Sequence, residues 1–281
     1  MKKHEWSPQR RFERQYETLI QKLFRRAWEQ SNPGDLVAIL EEMAQSETLY
    51  QLAEHAALQM ITGLSVQNAR TWREAARLSM RGPEIYRALQ GEMEGPVGFR
   101  VRQLVHQNAK LITGIPRTLA QRITKEVLEE SQAGRQAGSI AADLRKQFPQ
   151  MAASRIRLIS RTEVSKASTA LTQARAENLD LNWASWCTSE DSRVRLSHRK
   201  MDKVLFDWND LPSPERLAGE KATLGEYAPG CAPNCRCYAA PLLRLDAVKW
   251  PCRVYRNGSI TYMSMSRFLA IAGPGVRMPA A

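Results

Sequence analysis

Apolar residues recur three or four positions apart over most of the first 180 residues and at every second position in short stretches beyond. The helical phase starts at Ser7-Pro8, a capping side chain followed by a proline suited to the first helical position. It continues through Phe12, Tyr16, Leu19, Leu23 and Trp28. Asn32-Pro33-Gly34 interrupts it, and helices follow over about 35–61 and 65–90. The stretch from Gly91 to Gly98 holds three glycines and Pro96, which predicts a loop and a domain boundary. A helix over about 99–112 stops at Gly114-Ile115-Pro116 and resumes over 117–131, and Gly134 and Gly138 bracket a turn. Ser139 caps a short helix ending at Phe148-Pro149, and a long helix over about 152–178 closes the helical part.

From Leu181 the period changes to two. Leu181, Trp183, Ser185 and Cys187 alternate with Asn182, Ala184, Trp186 and Thr188, which predicts a strand. Residues 235–242 predict a second short strand. The segment between them, with Pro212, Pro214, Gly219, Gly225, Pro229 and Gly230, reads as irregular. Asn257-Gly258, inside 254–262, is the strongest short hairpin signal. From Gly273-Pro274-Gly275 onward the sequence predicts a mobile tail. The whole pattern predicts a mainly α chain, with a helical N-terminal region followed by a small α+β C-terminal domain.

Composition adds limits. With 281 residues, 43% of them hydrophobic, the chain can build a real core and has room for two domains. No apolar run approaches the ~18 residues of a membrane span. No apolar signal segment follows Met1-Lys2-Lys3-His4-Glu5-Trp6, and five cysteines is an odd number; both argue for a reducing cytosol and against a disulfide framework. The formal charge is +12, divided as +4 over 1–30, −4 over 31–95, +7 over 96–180 and +5 over 181–281. Such an excess suits a polyanionic partner, and it equally suits an ordinary solvated basic surface.

Three clusters hold the candidate chemistry. In Arg161-Thr162-Glu163, Glu163 lies in or beside the apolar stripe Ile156, Ile159, Val164, Ala167, Leu171, Ala174. A carboxylate there either finds a cation or reaches solvent at the stripe's edge. The stretch from Trp186 to His198 runs from a strand into a polar turn with Asp191, Arg193, Arg195 and His198. Asp191 and His198 suit an acid–base pair or metal ligation, and the turn equally suits a loop held by its own hydrogen bonds. In the third, Cys231, Cys235 and Cys237 put three thiols within seven residues. With His198 they could form a tetrahedral Cys₃His zinc site, or pack as small buried apolar groups. No P-loop, no G-x-G-x-x-G after a strand, no G-x-S-x-G and no H-E-x-x-H occurs.

Taken in order, the clusters resemble the head-morphogenesis domain of the phage Mu F-like minor head proteins. The matching pieces are Arg161-Thr162-Glu163, Trp186, Thr188, Asp191-Ser192-Arg193-Val194-Arg195, Ser197-His198, Met201-Asp202 and Asn234-Cys235-Arg236-Cys237, within about residues 115–243. The resemblance implies a morphogenesis domain over 96–243; the residue pattern sets before it a helical region over 1–95 and after it a C-terminal hairpin and tail over 244–281, and neither flank carries the resemblance. The resemblance also implies a non-enzymatic protein of a tailed phage or prophage, inside the capsid near the portal, which meets double-stranded DNA nonspecifically and assists assembly, packaging or ejection. Its partners would be the portal protein and the major capsid or scaffold proteins. His198, Cys235 and Cys237 match the pattern, Cys231 does not belong to it, and Asp191 would be a possible fourth ligand. Glu163 is expected to pair with Arg193 or Arg195 and clamp the long helix to the turn. Lys203 stands after Met201-Asp202, where the family usually has glycine. The alternative is a metal-dependent nucleic-acid-processing enzyme or toxin-like transferase that uses Glu163, Asp191 and His198.

Overall fold

The computed structural model describes residues 5–30 and 36–273, with the side chains of 26–30 and of 145 left aside. The interruption at Asn32-Pro33-Gly34, the side chain of Trp28 and the tail beyond Gly273 lie outside the described residues. The fold is mainly α with a small C-terminal sheet. By packing it divides into two compact units. One comprises Arg10–Thr62 and Gln103–Arg161, the other Met1–Gln9, Gly63–Arg102 and Thr162–Ala281. Three of the four divisions fall inside long helices, which contribute residues to both units, and none falls at the glycine-rich stretch 91–98.

The first unit is built from α1 (Arg10–Gln30), α2 (Leu36–Gln45) and parts of α3 (Glu47–Ala76), α5 (Pro96–Gln132) and α6 (Ala137–Glu177). The buried side of α1 runs through Phe12, Tyr16, Ile20 and Phe24. Ile20 and Phe24 are buried in place of the expected Leu19 and Leu23, because the i, i+4 series from Phe12 leads to them. The buried Tyr16 hydroxyl donates to Asn108 Oδ1 at 3.0 Å.

Several expected breaks differ. The single helix expected over 35–61 divides at Ser46, whose hydroxyl accepts the Leu49 N–H at 3.2 Å as an N-cap. Conversely, α3 runs through 62–65 without a stop. Neither Pro116 nor Pro149 ends its helix. An interior proline costs roughly 3 kcal/mol. Around Pro116, Ile112, Ile115, Leu119 and Ile123 are all buried, at about 1.5–3 kcal/mol for each fully buried chain of this size. Packing therefore outweighs the lost hydrogen bond. A true stop comes at Gly134: its N–H meets the Ser131 carbonyl, and the Arg135 N–H meets that of Glu130.

The second unit holds α4 (Gly82–Ala88) and the sheet, in the strand order β3-β1-β2-β4-β5. Its strands are β1 (Trp183–Cys187), β2 (Leu205–Asp207), β3 (Tyr238–Pro241), β4 (Cys252–Arg256) and β5 (Ser259–Met263). Only β2 and β4 pair parallel. The hairpin at Asn257-Gly258 is present, with φ of 46° and 83°. The segment expected to be irregular contains β2 and two short helices, α7 (Leu196–Met201) and α8 (Pro214–Leu217).

Alternation in β1 suggests one wet face, but both faces are covered. Ala184, Trp186, Phe206 and Tyr255 join one core, which includes Trp6, Trp72 and Ile85. Trp183, Leu205, Val254 and Met263 join another, closed by Phe268 of α9 (Met265–Leu269). The Trp183 indole N–H donates to the Ala272 carbonyl at 3.2 Å. Residues 264–272, with Phe268 of α9, thus help to cover the second face of the sheet. On the helical side, buried Arg175 donates through Nε and Nη2 to the two carboxylate oxygens of Glu92, at 2.9 and 2.6 Å, and through Nη1 to Asn68 Oδ1 at 2.7 Å. Burial of a guanidinium is tolerated only with this many acceptors.

Candidate metal centre

The joint between α6 and the loop before β3 organises the site. Small residues of α6 let the loop come close. Gly230, at φ +87°, leaves no room for a side chain: a Cβ there would stand 2.8 Å from the Cys237 carbonyl oxygen and 3.2 Å from Thr169 Oγ1. Two hydroxyls of the helix tie the loop down. Thr169 donates to the Pro229 carbonyl at 2.7 Å, and Thr162 accepts from the Asn234 N–H at 3.1 Å. Asn234 is left-handed, at φ 58°, which turns the chain back so that Cys235 and Cys237 run into β3.

The strand-end turn is fixed separately. Asp202 Oδ1 accepts from both the N–H and the hydroxyl of Thr188, each at 2.9 Å. Asp202 (φ −55°, ψ 126°) and Lys203 (φ 61°) form a type II turn closed by Val204 N–H to Met201 carbonyl at 2.9 Å. The turn keeps its tightness with lysine at the position that favours glycine. It sets α7 so that His198 points inward under Trp186, with ring centroids 5.6 Å apart and planes at 75°.

Around His198 three elements meet. Its Nδ1 lies 3.4 Å from Cys235 Sγ and 3.6 Å from Cys237 Sγ, and the three ligand atoms lie within 4.8 Å of one another, all on buried residues. Its Nε2 lies 2.9 Å from the Tyr227 hydroxyl, and that hydroxyl donates to Glu215 Oε1 at 2.5 Å. Burial, then the hydrogen bond and charge of Glu215, push Tyr227 far above its ordinary range, so it stays a phenol. A hydroxyl has one proton, and here Glu215 takes it. Tyr227 must therefore accept from His198, which places a proton on Nε2, so in the neutral imidazole the Nδ1 lone pair faces the sulfurs. Cys237 shares its thiol proton with Cys235, and that bond draws Cys235 toward thiolate against the cost of burial. The Cys237 N–H adds a donor to the Cys235 sulfur at 3.4 Å.

Of the residues singled out in the sequence, the structure brings His198, Cys235 and Cys237 together. Cys231 is outside that group among the described residues. It lies within electrostatic reach of Lys166, Cys235 and Glu163, and burial raises its thiol to about 11. Asp191 is also outside it. Its Oδ1 accepts the Arg193 N–H at 2.9 Å, and Arg236 stands 3.8 Å from Oδ2. Desolvation would raise its carboxyl, but that hydrogen bond and the two guanidiniums hold it below its ordinary value.

The expected clamp from Glu163 to Arg193 or Arg195 is not formed. Glu163 holds Lys166 at 3.0 Å, one helical turn along. Arg193 is turned to Asp191 by its own loop, and Arg195 donates to the Pro233 carbonyl at 2.9 Å. Lys166 is at short range and costs no loop ordering, so it wins. Arg161 faces Glu13, at 3.8 Å, in the helical unit. The residues that do join helix to loop, Thr162, Thr169 and Gly230, escape sequence reasoning, as do Tyr227 and Glu215. Of these, Thr162 alone carried a signal, as the centre of the Arg161-Thr162-Glu163 motif.

An uncharacterized protein of Haemophilus influenzae is 29% identical over 144 residues, which is 51% of this chain and 30% of that relative, so the chain spans about a third of its length. No solved structure matches. The family model described as phage Mu protein F like protein matches residues 121–240, and all three clusters fall inside that stretch. By motif order and by family match alike, residues 121–240 carry the phage Mu protein F-like pattern of a phage head morphogenesis domain.

Proposed function

We propose that the chain is a minor head protein of a tailed phage or prophage. It works inside the capsid near the portal, with the portal protein and the major capsid or scaffold proteins as partners, and binds double-stranded DNA without sequence preference. The observation that carries this reading is the family match over 121–240, and the net charge of +12 supports the DNA part. Lys110, Arg117, Arg122 and Lys125 stand exposed along α5, a distance of about 22 Å at 1.5 Å per residue. No described helix is long and apolar enough to cross a membrane. The enzyme alternative needs Glu163, Asp191 and His198 to act on one substrate. Each is instead committed to a different partner, which supports a structural role.

Filter binding of two unrelated duplexes tests the DNA part. With about five phosphates contacted, affinity falls roughly 500-fold between 50 and 200 mM salt, equally for both sequences. No binding at 50 mM, or a strong preference for one duplex, refutes it. Detection of the tagged chain in purified heads, and its absence from empty tails, tests the location.

A further inference from the structure

We infer that His198 Nδ1, Cys235 Sγ and Cys237 Sγ hold a zinc ion, and that Tyr227 and Glu215 form the outer shell that orients the histidine for it. The inference goes beyond the head-protein reading and does not depend on it.

Three independent observations lead there. The first is distance. Zinc–nitrogen bonds of about 2.05 Å and zinc–sulfur bonds of about 2.3 Å in a tetrahedron give nitrogen–sulfur edges of about 3.6 Å. The structure has 3.4 and 3.6 Å for those two edges. The second is the proton count at His198. In the neutral imidazole the chain Glu215–Tyr227–His198 puts the proton on Nε2, so the lone pair on Nδ1 is directed at both sulfurs. A ligating histidine whose second nitrogen is tied through hydrogen bonds to a carboxylate is the usual arrangement behind zinc. Without an ion, that lone pair faces two sulfurs at 3.4 and 3.6 Å, and the one proton shared between the sulfurs cannot satisfy both approaches. The third is the donor set. Two sulfurs and one imidazole, buried and with a backbone N–H on one sulfur, select a borderline-soft cation over magnesium or calcium. Glu215 Oε2 is buried with no hydrogen-bond partner among the described residues, so its polar demand behind the histidine is not met by the chain alone.

The ion would pin α7 to the entry of β3 across the face of Trp186. Cys231 and Asp191 are not ligands in this assignment. When zinc enters, the proton that the two sulfurs share is released to solvent, so uptake weakens as pH falls.

The full chain, expressed with zinc and purified in reducing buffer without chelator, is assayed for metal. About one zinc per chain is expected, and cobalt(II) exchanged into the site gives the near-ultraviolet thiolate-to-metal band and tetrahedral visible bands. Cys231→Ser retains both. Tyr227→Phe remains folded, since the ring stays, and loses zinc to a competing chelator about 10–100-fold more readily. Folded, reduced wild-type protein that takes up neither zinc nor cobalt overturns the site. Loss of metal in Cys231→Ser overturns the ligand assignment, and unchanged zinc affinity in Tyr227→Phe overturns the outer shell.

Discussion

Gly230→Ala is the sharpest probe of the joint between α6 and the cysteine loop. At φ +87° any residue with a Cβ is strained, by roughly 1–2 kcal/mol. The new methyl would also meet the Cys237 carbonyl oxygen at 2.8 Å, Thr169 Oγ1 at 3.2 Å and the Ser165 carbonyl oxygen at 3.3 Å. Two of these neighbours are backbone and cannot rotate away, so the loop must lift from the helix. Lifting loosens the Thr169–Pro229 hydrogen bond, a further ~1 kcal/mol or more because the groups are buried. The expected loss is about 3 kcal/mol, or roughly 6–12 °C in Tm at about 2–4 °C per kcal/mol. Gly219→Ala is the control. Gly219 has a similar φ, +77°, but nothing within 4 Å of its Cβ position, so it shows the strain alone. Thermal melts of both variants by circular dichroism separate the two contributions. A Gly230→Ala melt no lower than that of Gly219→Ala would mean that the close approach contributes nothing, and the argument for the joint would fail.

Two other substitutions test the neighbourhood. Lys203→Gly removes left-handed strain from the type II turn worth roughly 1–2 kcal/mol, against about 0.4–1 kcal/mol of added chain entropy in the unfolded state; a Tm raised by about 1–4 °C is expected, and a lowered one refutes the strain. Glu163→Gln breaks a pair in which the Lys166 side chain is 42% exposed, so about 0.3–0.5 kcal/mol and a Tm change under about 2 °C are expected; a fall above about 6 °C would show a buried ionic clamp after all.

Helix-forming segments and the hairpin were legible because their signals are local. The stripe Ile156, Ile159, Val164, Ala167, Leu171 and Ala174 is buried throughout, and Asn257-Gly258 turns the chain as its residue types demand. Helix ends were less legible wherever packing overrules a local breaker, as at Pro116 and Pro149. In the site, histidine and cysteine advertise their chemistry, so His198, Cys235 and Cys237 could be grouped by type. Cys231 shares the type and stands only four residues before Cys235, yet its sulfur lies outside the group, and spacing alone does not reveal that. Tyr227 and Glu215 sit in a stretch without periodicity, and their role exists only through His198.

Charge led the sequence reading toward an ionic clamp, and the physics of the loop explains why a neutral one forms. The loop over 229–237 presents mainly backbone to α6: the Pro229 carbonyl, the Asn234 N–H and the bare Cα of Gly230. Backbone groups of a loop pressed onto a helix lose water and need short-range partners there. Thr162 and Thr169 are small enough to let the chains touch and carry one hydroxyl each, which can donate or accept as required. A carboxylate–guanidinium pair would hold the chains farther apart and pay for desolvating two charges. Arg161 and Glu163 flank Thr162 and turn to other partners, Glu13 and Lys166. The hydroxyl at the centre of that motif makes the contact. In order along the chain, then, Thr162, the turn at 201–204 and Asn234 to Cys237 describe a single joint, and the buried histidine is what that joint positions.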